Sequence, residues 1–163
     1  IKDEIVPDDV VAMKDKFIKY LPVYSLEVAA SAFGKEDQVE NLGWMRVNKP
    51  ITLSKNMFIA KVVGKSMEPT IPDQSYCIFK SEKGGSRNGL VVLVESRQVV
   101  DSTTHQKFTV KRYHSEKEYF DDGTWRHKKI ILSPDNKKSF KDLPLHDVSP
   151  GDFRVIAELV SIL

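Results

Sequence analysis

Apolar residues first recur at Val10, Met13, Phe17 and Tyr20, with Lys14, Asp15, Lys16 and Lys19 between them. A spacing of three to four belongs to one face of a helix. Pro7, Asp8 and Asp9 supply start signals, because proline suits a first turn and aspartate caps free N–H groups. Pro22 ends the pattern. The expected element is a short N-terminal amphipathic helix or linker over residues 1–21, whose apolar stripe must pack on the following domain or on an upstream one.

From residue 22 to 163 the pattern changes to strand-like runs rich in Val, Ile, Phe and Tyr. The expected strands are Val23–Ala29, Met57–Val63, Ser75–Phe79, Leu90–Glu95, Phe108–Tyr113, Lys128–Leu132 and Arg154–Ile162. Turn formers separate them: Pro72-Asp73, Gly84-Gly85-Ser86, Asp121-Asp122-Gly123 and Ser149-Pro150-Gly151. Most intervening segments are too short for a crossover helix, which argues against a parallel α/β sheet. The predicted fold class is mainly β: one antiparallel domain behind a short N-terminal helix.

Composition narrows the function classes. The 163 residues are 40% hydrophobic and 29% charged, with 25 Lys+Arg against 23 Asp+Glu and a net charge of +2. That balance argues against direct nucleic-acid binding by this segment. A single cysteine, Cys77, excludes an internal disulfide framework and a cysteine-cluster zinc site. No run approaches the roughly 18 apolar residues of a membrane span, and no signal-peptide pattern opens the chain. A soluble, cytoplasmic protein is the expectation. The start at Ile1 instead of Met reads as the edge of a longer or processed chain.

The most informative stretch runs from Phe58 through Gly64-Lys65-Ser66-Met67-Glu68-Pro69-Thr70 to Asp73. A strand enters a glycine, a serine follows two residues later, and two prolines hold the chain beyond it. Gly64 permits a sharp turn that projects Ser66. A serine hydroxyl needs a nearby base to become a nucleophile. At such a turn the N–H groups near Ser66 and Met67 could face a developing oxyanion. Gly64-Lys65-Ser66 also imitates the end of a phosphate-binding loop, but Ile59 stands where that motif needs its first glycine.

The second stretch is Phe108-Thr109-Val110-Lys111-Arg112-Tyr113, in which Thr109, Lys111 and Tyr113 share one strand face. Alone it would read as a half-buried strand carrying a solvated lysine. Together the two stretches resemble the LexA-like self-cleaving serine peptidases, which include LexA repressors, phage repressors and UmuD. In that family Gly-x-Ser-Met supplies the nucleophile and a strand reading Thr-Val-Lys-Arg supplies a lysine base. Asn88-Gly89, Ser133-Pro134-Asp135-Asn136 and Val155-Ile156-Ala157 resemble further family segments in the expected order. The likeness runs from Pro22 to the C-terminus. The Asp101–Lys107 loop accounts for a serine–lysine spacing longer than the family's.

The resemblance implies a LexA C-terminal type fold, with Ser66 as nucleophile, Lys111 as general base, and Gly64 and Met67 shaping the turn and oxyanion site. No cofactor or metal is implied. An exposed lysine is a cation at neutral pH, so the base must be made neutral by burial. His105, His114, His127 and His146 show no triad or metal spacing. The family cuts its own chain upstream of the serine, usually before a glycine, and alignment offers Ala30-Ser31 as the bond. Serine there departs from the pattern and narrows the backbone's options.

The likeness further implies a homodimer pairing C-terminal strands through Val155–Leu163. It also suggests an upstream DNA-binding or helicase-like domain whose DNA-damage or mobile-element response this module regulates. Two other readings remain open. A signal-peptidase-like enzyme shares Ser-Met-x-Pro-Thr but normally carries a membrane anchor, and a non-catalytic dimerisation or sensor module would keep the fold alone. Trp44 and Trp125 read as core or interface aromatics, Lys128-Lys129 and Lys137-Lys138 as solvated pairs, and Cys77 as a buried inert thiol.

Overall fold

Runs of β-branched and aromatic residues cannot satisfy their own backbone groups, so each needs a neighbouring strand. In a computed structural model of the chain they assemble into one nine-stranded sheet. Residues 4–32, 40–81, 86–98, 100–101, 103–146, 148 and 152–163 are described, without the side chains of Ser31, Ala32, His127 and Lys128. The expected turn residues Gly84, Gly85, Ser149, Pro150 and Gly151 lie outside the described residues.

The strands are β1 (Tyr20–Tyr24), β2 (Gly43–Arg46), β3 (Met57–Val62), β4 (Ser75–Lys80), β5 (Val91–Ser96), β6 (Phe108–Tyr119), β7 (Trp125–Ser133), β8 (Leu143–His146) and β9 (Phe153–Ile162). Their order across the sheet is β2-β1-β3-β4-β9-β5-β6-β7-β8. Every pairing is antiparallel except β1 with β3, where Val23 faces Ile59 and Tyr24 faces Ala60. The mainly β class expected from the alternation is the observed one. Strands β2 and β8 escaped the pattern because each is four residues long, and β8 carries Pro144, which an edge strand tolerates.

Two expectations near the N-terminus need correction. Val10–Tyr20 holds only a 3₁₀ turn at Met13–Asp15 instead of an amphipathic helix. Met13 and Val10 are largely exposed, and Phe17 has a positive φ of 60°, which no helix accommodates. Tertiary contacts win over helical spacing: Phe17 packs edge-on against Trp44 at 5.2 Å, and Val6 bridges the same residue. The expected strand Val23–Ala29 is likewise split, since β1 ends at Tyr24 and α1 spans Leu26–Ala32. Ser25 Oγ caps that helix by accepting the Val28 N–H at 3.1 Å, and Glu27 lies in its first turn. Ala29, Ala30 and Ala32 are good helix formers.

Three apolar clusters stabilise the sheet. The largest joins Phe58, Phe79, Leu93, Val110 and Ile156 to Ala29 and Ala30 of α1. That burial seats α1 beside β3, β5 and β6. The second sits among β5 to β9 around Val92, Tyr113 and Leu132, and the third holds β1 to β4 around Leu21, Ile59 and Ile78.

Candidate active site

Strand β3 delivers the chain to Gly64, whose φ of +110° few side-chain-bearing residues adopt. A Cβ there would also stand 2.9 Å from Thr103 Oγ1, so the loop after β5 closes against this turn. The Gly64 N–H donates to Asp73 Oδ1 at 2.6 Å, fixing the start of the turn against its end. Between them the Glu68 N–H donates to the Lys65 carbonyl and the Ile71 N–H to the Met67 carbonyl, at 3.2 and 2.9 Å. Met67 and Ile71 drop into the core, which leaves Ser66 at the mouth of a cleft.

A second segment fastens this turn. The Asn136 N–H donates to the Ser66 carbonyl at 3.0 Å, and Asn136 Nδ2 to the Lys65 carbonyl at 3.1 Å. Its neighbour Asp135 accepts the Thr70 hydroxyl and a two-pronged contact from Arg112, at 2.9 Å from Nε and 2.7 Å from Nη2. Arg112 first, and Thr70 after it, hold the Asp135 carboxyl below the usual range against the opposing effect of burial. The serine turn is thereby tied to the strand that carries the lysine.

Lys111 lies on β6, a strand buried on both faces over Thr109–Lys111. Its side chain is only 4% exposed as a residue, and Nζ stands 3.0 Å from Ser66 Oγ. Alternation puts Thr109 on the same face two residues earlier, so Nζ also meets Thr109 Oγ1 at 2.7 Å. The Val110 carbonyl is a third neighbour at 3.1 Å. Burial lowers the lysine's pKa below its ordinary 10.5, and the Asp101 carboxylate, 3.6 Å away, opposes that shift. Burial makes the amine a better candidate for a base than any exposed lysine.

The expected site residues therefore divide into two groups. Ser66 and Lys111 meet at one cleft, whose apolar wall includes Leu26, Val62, Val63 and Phe108, while Gly64 and the buried Met67 belong to the turn that carries the serine. Ala30 and Ser31 do not join them. Both are in α1, and Ala30 lines a neighbouring cleft with Glu27, Glu95 and Gln106. The Ala30 carbonyl accepts from Arg154 Nη2, which also meets Glu95 Oε2 at 3.0 Å.

Asp101 and Thr109 were not singled out from the sequence. Thr109 was legible as the same-face neighbour of Lys111. Asp101 sits in the loop read as ordinary insertion, although an Asp followed by Thr103 and Thr104 is a signature of a side-chain-closed turn. Among the described residues no group of three or more His, Cys, Asp or Glu could hold a metal.

A sequence model of the family described as Peptidase S24-like matches residues 22–160. The chain belongs to that family. No curated protein matches the chain. Membership in the Peptidase S24-like family supports serine-peptidase or self-cleaving activity in general terms. The matched range takes in both halves of the cleft and also α1. No helix among the described residues is long and apolar enough to cross a membrane.

Proposed function

We propose that this Peptidase S24-like domain is a Ser–Lys serine endopeptidase that cuts its own chain between Ala30 and Ser31. The observation that carries the reading is the 3.0 Å contact between Ser66 Oγ and a buried Lys111 Nζ. In this scheme the neutral amine takes the Ser66 proton as Oγ attacks the Ala30 carbonyl carbon. The N–H groups of Ser66 and Met67, at the opening of the turn, would face the oxyanion. The lysine ammonium then gives its proton to the departing Ser31 amine, and water releases the acyl group from Ser66.

Cleavage on this scheme requires α1 to open. A peptide carbonyl can approach a nucleophile to about 3–3.5 Å only when its segment lies in the cleft. In the folded arrangement Leu26, not Ala30, is the α1 residue at the serine. The helical form is then the uncut resting state. We propose that an upstream DNA-binding or helicase-like region of the same cytoplasmic polypeptide controls this opening in a DNA-damage or mobile-element response. The family likeness supports that assignment.

Labelling with a fluorophosphonate probe tests the catalytic reading against a silent fold. The expected result is one adduct on Ser66, reduced about 10²–10⁴-fold in Lys111→Ala because the general base is gone. Labelling that is absent, or unchanged in Lys111→Ala, would count against a Ser–Lys enzyme.

A further inference from the structure

Lys111 has a hydrogen-bonding inventory that can be closed. A neutral amine offers two N–H donors and one lone pair. Three groups stand within reach of Nζ: Thr109 Oγ1 at 2.7 Å, Ser66 Oγ at 3.0 Å and the Val110 carbonyl at 3.1 Å. The carbonyl can only accept, so it takes one N–H. Whether the lone pair faces Ser66 or Thr109 depends on which hydroxyl points its proton at the nitrogen.

Asp101 decides that choice. Its Oδ2 lies 2.6 Å from Thr109 Oγ1 in a buried contact. A carboxylate only accepts, so the Thr109 proton must point to Asp101 and the Thr109 lone pair to the lysine. The second amine N–H is spent there, and the Ser66 hydroxyl is left as the only donor for the amine lone pair. Asp101 is itself held: its Oδ1 accepts the N–H groups of Thr103 and Thr104, each at 2.9 Å. The loop closes on its backbone through the Asp101 N–H to Gln106 carbonyl bond at 2.8 Å and the His105 N–H to Asp101 carbonyl bond at 2.9 Å.

We propose that Asp101 is a positioning residue for the Ser66–Lys111 pair, fixing the direction of a hydrogen-bond chain from Ser66 through Lys111 and Thr109 to its own carboxylate. The proposal rests on the Ser–Lys reading and adds the residue that orients the base. One proton moves in the step: the Ser66 O–H bond breaks as an N–H bond forms on Lys111. The resulting ammonium lies 3.6 Å from Asp101 Oδ2, which offsets its charge at this buried position.

The same placement makes Asp101 the control on when the amine becomes neutral. The cleft presents Leu26 from α1, Val62 from the end of β3 with Val63 just beyond it, and Phe108 and Val110 from β6. None of these titrates. Among the described residues lining the cleft, Asp101 is the one carboxylate facing Lys111. Burial by itself would raise the Asp101 carboxyl, but Thr109, Thr104, Lys111 and Thr103 together hold it below the ordinary range. It is therefore ionised wherever the lysine titrates.

Two readouts separate this inference from the peptidase reading. First, the Lys111 side chain can be titrated by ¹³C NMR in Ser66→Ala, with and without Asp101→Asn, which needs no catalysis. Asp101→Asn should move the Lys111 midpoint to lower pH by about one unit or more. A midpoint that stays put or rises overturns the assignment. Second, the pH dependence of self-cleavage should begin at lower pH in Asp101→Asn. Its maximum should fall about 10–100-fold, because an amide nitrogen turned toward Thr109 would reverse the chain.

Thr109→Val cuts the chain but keeps the carboxylate, and serves if Asp101→Asn does not fold. Its maximal rate should fall by a similar factor, with full activity overturning the proposal. A wild-type chain that never cleaves would sink the peptidase reading alone, with the NMR titration still deciding the role of Asp101.

Discussion

Gly64 shows how one residue can be required twice. Its φ of +110° is unfavourable for a side chain, and an added Cβ would press on Thr103 at 2.9 Å. The two faults act on the same turn, which carries Ser66, and on the loop that carries Asp101. Gly64→Ala should therefore lower stability by about 1–3 kcal/mol, the usual cost of such a backbone, and slow cleavage further by shifting Ser66. Thermal melts of that variant in a Ser66→Ala background isolate the stability part. An unchanged melting temperature would contradict this account of the turn. Other single residues carry less. Trp44 is buried with its Nε1–H on Asp8 Oδ1 at 2.7 Å, whereas Trp125 is half exposed under Lys117, 4.1 Å from its ring centroid. Cys77 is buried in β4 and its thiol is pushed up to about 12, as an inert cysteine in apolar surroundings should be.

At the scale of elements, α1 is the part whose stability governs the proposed reaction. It has seven residues, too few to persist without tertiary support. That support comes from Ala29 and Ala30 in the core and from Arg154 on the Ala30 carbonyl. Removing the arginine contact should lower the cost of opening by about 1 kcal/mol, close to the net worth of one hydrogen bond. Arg154→Ala is accordingly expected to cleave itself roughly 5-fold faster, as quantified by gel densitometry over time. A rate equal to or below wild type would mean that α1 release is not the limiting event. The same element marks where strand reasoning failed. Val23–Ala29 looked extended because Val23, Tyr24 and Val28 outweighed the cap signal of Ser25 and the alanines that follow. Strands β3 and β4 were legible because each buries apolar residues between two neighbouring strands, and β6 and β9 because β-branched and aromatic residues recur along them. Asp101 was not legible as part of the site, since its role depends on Ser66 and Lys111, 45 positions apart in sequence, meeting beside the Thr109 that it contacts.

At the scale of the molecule, β9 links the two halves of the sheet. It pairs with β4 through Glu158–Ile162 and with β5 through Phe153–Glu158. Each flank is thus paired over part of its length, and Val160 is 38% exposed near the C-terminal end. A partly open strand end of this kind can pair with a second copy by an isologous two-fold contact. The proposed homodimer should give about twice 18.6 kDa by size-exclusion light scattering. A monomer at high concentration would rule the pairing out. The central claim concerns the chain's own backbone. Its most direct test is intact-mass spectrometry after incubation at rising pH, with Ser66→Ala beside it. The account predicts two fragments meeting between Ala30 and Ser31, accumulating faster as pH rises through the lowered range of Lys111, and none from Ser66→Ala. A chain that stays whole at every pH, or equal cutting in Ser66→Ala, would contradict it.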